Sequence, residues 1–400
     1  MNEPVAITGI GVVSPAGVSA AAFWDGLLAQ HDLRGGWSRG DLSLYPHDNV
    51  VEIPEQVWHA VERDGGGKRI DALAGFSIEQ ALSDAGLAAD AGRIGCYFSS
   101  TTAGVEGLEQ GLLAPTSSRH PEALDGSHIL ASAKQHWSGP TSLLSTACSS
   151  GLLAPALAID AIAGGEADVM LAGGVDVLLE YTACGFSGLR LTTDDQCRPF
   201  NAQRKGVVLS EGSVCFCLES LSAALRRGAH IHGVILGYGI GCDADHVTAP
   251  NTGGIARAMT QALETSGMQP AAIGGVFAHG TGSQANDLAE VNALRAVFGA
   301  AIPPVTAIKS TMGHPQAAAG SFSLLAATLA LKTGQLPPTA GLSEADPALG
   351  EVDVVMQQGR PLAANCLMVN AFGFGGNNCV MVVADLATAL RHSPELADAA

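Results

Sequence analysis

With 400 residues, 47% of them hydrophobic and only 14% charged, the chain can bury a large core and is unlike a disordered or stalk-forming protein. A formal charge of −18 argues against nucleic acid or an anionic membrane as the main partner, and an acidic partner would need a local basic patch. No apolar run approaches the roughly 18 residues of a membrane span, and the first residues carry no basic leader. The nine cysteines are scattered through apolar segments without a CxxC pair, which predicts reduced thiols, no metal site and a cytoplasmic protein.

In chain order, residues 5–15 read as a buried strand ending in a turn, and Phe23-Trp24-Asp25-Gly26-Leu27-Leu28 opens a short helix. The Gly9-x-Gly11 pair lacks the third glycine of a dinucleotide fingerprint. Residues 32–60 carry no clear signal. A helix is expected from Lys68 to Gly86 on the stripe Ala72, Ala74, Phe76, Ala81 and Leu82, followed by a strand over 93–102. A polar segment over 112–137 leads to Leu144-Ser145-Thr146-Ala147-Cys148-Ser149-Ser150-Gly151. There a turn of small residues becomes a helix over 152–163, apolar on nearly every side and stopped by Gly164-Gly165. The next buried strand spans 167–176.

A thiol at the first turn of a helix meets free backbone N–H groups and the positive end of the helix dipole, which favour thiolate over thiol. Cys148 therefore reads as a nucleophile. A buried core cysteine is the competing reading, and the residues around Cys148 leave the two in balance.

The second part of the chain repeats the order of the first. Ile94-Gly95-Cys96-Tyr97-Phe98-Ser99-Ser100 is echoed by Ile273-Gly274-Gly275-Val276-Phe277-Ala278-His279. Ser145-Thr146-Ala147-Cys148 with its helix is echoed by Ser310-Thr311-Met312-Gly313-His314 and the helix after it, and the strand over 167–176 by that over 366–374. Two such halves, 1–232 and 233–400, predict an α/β fold of stacked sheets with helices between and outside them. Ser100 and Cys148 of one half would converge with His279 and His314 of the other.

Four strings in order, Thr146-Ala147-Cys148-Ser149-Ser150-Gly151, His279-Gly280-Thr281-Gly282-Ser283, Lys309-Ser310-Thr311-Met312-Gly313-His314 and Phe372-Gly373-Phe374-Gly375-Gly376-Asn377-Asn378, resemble the elongating 3-oxoacyl-[acyl-carrier-protein] synthases, the β-ketoacyl synthases of the thiolase superfamily. The resemblance implies a thiolase-like fold with duplicated βαβαβαββ halves in an α-β-α-β-α arrangement. It also implies a Cys-His-His site for decarboxylative Claisen condensation between carrier-protein thioesters. On that pattern Cys148 takes the acyl chain, His279 and His314 hold the malonyl thioester as neutral donors, and the N–H groups of Cys148 and Phe374 form the oxyanion hole. Lys309 and Glu290 match a buried pair supporting the histidines. Thr281 and Ser283 match the hydroxyls that bind pantetheine, Phe374 the gating aromatic, and Phe372 its neighbour. No cofactor is implied beyond the carrier's phosphopantetheine.

Further expectations follow from the same resemblance. An acyl carrier protein should dock on Lys68, Arg69 and Arg190. The chain should form a homodimer, or a heterodimer with a chain-length-factor homologue, through the strand Asp168 to Gly174. Departures from the family pattern at Ser283-Gln284, Val207-Val208 and Asn377 bear on chain length and pathway. The alternatives are a noncatalytic chain-length factor, which would lack Cys148, and a degradative thiolase, whose second active-site cysteine has no counterpart in the segment 373–376.

Overall fold

The computed structural model describes residues 3–43, 45–62, 68–87, 92–113, 126–130 and 137–399, so most of the polar segment expected over 112–137 lies outside the described residues. Ten strands form one mixed sheet: β1 Val5–Val13, β2 Ile94–Ser99, β3 Thr141–Leu144, β4 Val169–Asp176, β5 Gly212–Ser220, β6 Gly233–Cys242, β7 Gly275–Phe277, β8 Val305–Thr306, β9 Cys366–Gly373 and β10 Asn377–Ala384. Their order across the sheet is β8-β7-β9-β10-β6-β1-β5-β4-β2-β3. In the first half β2 runs parallel to β3 and β4, while β5 is antiparallel to β4 and β1. The second half reproduces this: β7 is parallel to β8 and β9, and β10 is antiparallel to β9 and β6. The halves join where residues 5–7 of β1 pair with β6, next to a register shift between Ile7 and Gly9.

The main helices are α1 Arg69–Asp84, α2 Ser150–Ala163, α3 Glu180–Gly188, α4 Thr252–Ser266, α5 Gln284–Phe298 and α6 Ala319–Thr333. Helices α2 and α6 pack on each other and on strands of both halves, so they form the middle layer. α1 covers β1 and β5 on one outside, and α4 covers β6 and β10 on the other. The result is the expected thiolase-like α-β-α-β-α arrangement. Glycine makes the central crossing possible, because a Cβ on Gly151 would fall 2.5 Å from the Ala317 carbonyl oxygen and one on Gly320 2.8 Å from the Leu152 nitrogen. The Gly9-x-Gly11 pair serves packing in the same way: a Cβ at either position would strike the backbone of α1 at Ala81 or Ser77.

Two sequence expectations change. The helix enclosed on all sides is α6, buried from Ala319 to Leu331, whereas α2 leaves Leu153, Leu157 and Ile162 half-buried and Asp160 exposed. The strand from 168 to 174 cannot pair across a twofold, because β4 is flanked by β2 and β5. The free edge of the first half is β3, whose four residues are all half-buried.

Candidate active site

Cys148 sits on a strained turn between β3 and α2, and hydroxyl groups hold that turn together. Ala147, with no glycine's freedom, has φ +52°, a conformation that costs on the order of 1–3 kcal/mol. The Ser150 hydroxyl donates to Ala147 O at 2.6 Å and accepts from Thr146 N at 2.7 Å, while the Ser149 hydroxyl donates to Thr146 O at 2.8 Å. The small hydroxyl residues flanking the cysteine thus clamp the turn. Gly373 lies close beneath it, since a Cβ there would fall 2.6 Å from Thr146 O.

The duplication brings the imidazoles to this thiol. His314 Nε2 is 3.1 Å from Cys148 Sγ, and the rings of His279 and His314 meet edge to face at 5.7 Å. The main chain of His314 is tied to the segment before β5, donating to Val208 O at 2.7 Å and accepting from Ser210 N at 3.1 Å. Its Nδ1 has no hydrogen-bond partner among the described residues, so nothing there fixes its tautomer. His279 is better constrained: Lys309 Nζ donates to its carbonyl oxygen at 2.6 Å and lies 3.4 Å from its Nδ1, which leaves the ring proton on Nε2. Burial, then the Lys309 charge, push both histidines well below the usual imidazole range, so both are neutral at pH 7.

Lys309 and Glu290 are both buried, yet the expected ion pair between them is absent among the described contacts. Glu290 instead accepts from His279 N at 2.8 Å, Gly280 N at 2.9 Å and Asn370 Nδ2 at 2.9 Å. It anchors the backbone of the histidine turn, and Asn370, near the end of β9, supports it. Backbone N–H groups at a turn compete well for a buried carboxylate because they are already fixed in place.

Burial has the larger effect on the thiol. It pushes the Cys148 thiol up to about 12, against the lowering influence of Lys309 and of the backbone N–H groups of Cys148 and Phe374 directed at the sulfur. The expectation that the helix N-terminus favours thiolate over thiol meets a larger opposing effect, desolvation, which keeps the proton on the sulfur. Ser100, expected to join the thiol, points elsewhere: its hydroxyl donates to Asp176 Oδ1 at 2.8 Å. Asp176, at the end of β4, also accepts from Thr101, Thr102 and Ala317.

Two cavities meet at Cys148, and Phe186 and Phe374 line both. Their rings lie 5.6 Å apart, and Phe186 meets the His314 ring edge on at 6.2 Å. The first cavity, of ≈ 680 Å³, runs along Val105, Leu108, Tyr181 and Leu189 and is largely apolar. The second, of ≈ 180 Å³, holds His279, His314, Thr281, Ser283 and Phe372. In it the hydroxyls of Thr281 and Ser283 lie 3.0 Å apart, and Ser283 caps α5. Phe186 was not singled out from the sequence, where a lone aromatic in a short helix carries no signal.

The chain matches the β-ketoacyl synthase N-terminal domain over residues 2–224 and the β-ketoacyl synthase C-terminal domain over 232–343. It belongs to the β-ketoacyl synthase family. It is 33% identical to the actinorhodin polyketide putative beta-ketoacyl synthase 1 of Streptomyces coelicolor, over 97% of this chain and 90% of that one. It is 31% identical to the 3-oxoacyl-[acyl-carrier-protein] synthase 2 of a Synechocystis species, over 95% of this chain and 97% of that one. Among solved structures it superimposes on the ishigamide ketosynthase/chain length factor with a TM-score of 0.89 and 30% identity, covering 96% of this chain and all of that one. The protein is thus an acyltransferase of the ketosynthase type.

The expected docking cations separate in the structure. Arg69 is buried, paired with Glu211 at 2.7 Å and stacked over Trp58 at 4.2 Å, so it is not on a docking surface. Its place in the first turn of α1 turns it inward toward a buried carboxylate that Arg39 also reaches, at 2.8 Å. Lys68 is half-buried with Nζ 3.0 Å from His128 Nε2. Arg190 is exposed and follows Leu189, which lines both cavities. No group of metal-binding residues is found among the described residues, and none of their helices is long and apolar enough to cross a membrane.

Proposed function

We propose that the protein extends an acyl chain held on Cys148 with malonyl-acyl carrier protein, releasing carbon dioxide and giving a 3-oxoacyl-acyl carrier protein. In loading, the Cys148 proton passes to His314 Nε2, the sulfur attacks the acyl thioester, and His314 hands the same proton to the departing pantetheine sulfur, which leaves as the thiol. In extension, the malonyl carboxylate leaves as carbon dioxide, and its electron pair forms an enolate held by the Nε2–H of His279 and by His314. The enolate carbon then attacks the Cys148 acyl carbonyl, whose oxygen rests on the N–H groups of Cys148 and Phe374, and the sulfur departs as thiolate and takes a proton from water. Thr281 and Ser283 hold the pantetheine amides. Residues 1–232 supply the nucleophile and 233–400 the histidines.

The single observation supporting this reading is the 3.1 Å approach of His314 Nε2 to Cys148 Sγ at the junction of an apolar cavity and a polar one. That contact also separates it from a noncatalytic chain-length factor. Acyl carrier protein is the proposed partner, docking near Arg190 and Lys68. A second subunit, identical or a chain-length-factor homologue, would pair along the free edge β3. The test is radiolabelled acyl loading and malonyl decarboxylation on Cys148→Ala. Loading and condensation should vanish while carbon dioxide release persists, and a variant that still condenses would refute the assignment.

A further inference from the structure

Within the largely apolar cavity beside Cys148, one buried polar group has no role in the chemistry above. Gln316 is 3% exposed and lines that cavity together with Thr101, Ala147 and Cys148. Its Nε2 has no hydrogen-bond partner among the described residues. On the other side of the amide, Oε1 lies 3.4 Å from the Thr101 hydroxyl, which is closer, at 2.7 Å, to Asp176 Oδ2. The amide is thus weakly held from one side, in a buried side chain that forms part of the cavity wall. A buried amide donor left without a partner costs about 1–3 kcal/mol, and a side chain of aliphatic type would avoid that cost.

The backbone places this amide close to the nucleophile. Gln316 follows His314 by two positions, has φ +44°, and precedes Ala317, whose N–H donates to Asp176 at 2.6 Å and whose carbonyl packs on Gly151. The residue is thereby fixed in a cavity wall to which Cys148 also belongs, although a non-glycine residue at positive φ is unfavourable.

Resting on the ketosynthase reading, we infer that Gln316 is a specificity-determining residue whose Nε2 donates to an oxygen on the third carbon of the chain carried by Cys148. The thioester oxygen at the first carbon is taken by the N–H groups of Cys148 and Phe374. The next oxygen in a chain built of two-carbon units falls on the third carbon, as a ketone directly after condensation or as a hydroxyl after one reduction. A chain of either kind satisfies the amide, and a saturated alkyl chain leaves it unpaired. The preceding reaction is then another condensation, or one ketoreduction, rather than a full reduction to alkyl.

The experiment loads Cys148 from hexanoyl, 3-oxohexanoyl and 3-hydroxyhexanoyl pantetheine thioesters, read by intact-protein mass spectrometry, in the native protein and in Gln316→Met, which keeps the length of the side chain. The native protein should favour the oxygenated chains. The substitution should cut that preference roughly 3- to 10-fold, the worth of one neutral hydrogen bond, with hexanoyl loading retained as the control for folding. Whichever oxygenated chain loses more identifies ketone or hydroxyl as the group recognised. An unchanged ratio between oxygenated and alkyl chains overturns the inference, whereas a native protein that loads none of the three overturns the ketosynthase reading itself.

Discussion

The turns after β2 and β7 occupy equivalent places in the two halves, and both are anchored by a buried carboxylate, yet they do different work. Asp176 comes from the end of β4 and gathers the N–H groups of Thr101 and Thr102. Glu290 comes from α5 and gathers those of His279 and Gly280. The first turn directs its hydroxyls to Asp176 as well, and the second presents an imidazole whose tautomer Lys309 sets. The turns after β3 and β8 differ likewise, one carrying the thiol and the other His314. A symmetric scaffold thus supports an asymmetric site, with the thiol in one half and the two imidazoles in the other.

Exchanging the imidazoles for alanine should break this comparison most severely. His279→Ala should lower malonyl decarboxylation on the order of 10²- to 10³-fold and leave acyl loading of Cys148 nearly intact. His314→Ala should lose decarboxylation to a similar degree and also slow loading, because the buried thiol needs that imidazole as its base. Equal loading rates in the two variants, measured with radiolabelled acyl carrier protein, would show that the thiol is activated some other way.

A smaller effect separates the two carboxylates. Asp176→Asn and Glu290→Gln each turn an acceptor toward backbone donors into a mixed donor and acceptor, costing about 1–3 kcal/mol by chemical denaturation. Asp176→Asn should be the more damaging, since Ala317 N of the opposite half also depends on it. A stability loss confined to Glu290→Gln would mean that Asp176 is dispensable to the joining of the halves.

The smallest expected effect is in pH dependence. The folded protein holds His314 well below 6.5, so as pH falls through 6.5 the unfolded chain takes up a proton before the folded one does. This contribution to stability is complete above about pH 6.5 and is lost as pH falls toward the folded value, by at most about 1.4 kcal/mol per pH unit. The raised pKa values of the buried carboxylates act in the opposite sense. The stability difference between the native protein and His314→Asn isolates the imidazole and should shift against the native protein between pH 6.5 and 5.5. A constant difference would place a charged imidazole in the folded state.

Much of this site is legible in local strings. Small residues around Cys148, the glycines after His279 and before Phe374, and an uncharged run around Lys309 each report a local constraint, and their repetition reports the two halves. Asn370 and Asp176 were not legible, because each is a lone polar residue in an apolar strand until the fold supplies backbone N–H groups opposite it. Arg69 misled for the converse reason: a cation at a helix start looks solvated until Glu211, distant in sequence, is seen beside it.

The sequence by itself determined the strand and helix order, the duplication, and the strings that carry Cys148, His279 and His314, since these follow from periodicity, turn chemistry and motif. Only the tertiary structure decided what each group experiences. Packing α2 against α6 buries Cys148 and reverses the expected effect on its thiol. The strand order leaves β3 rather than β4 at the edge, and the fold sets Glu290 against backbone N–H groups rather than Lys309. The physical reason is common to all three: desolvation and hydrogen-bond competition depend on neighbours brought from far along the chain, which no local pattern records.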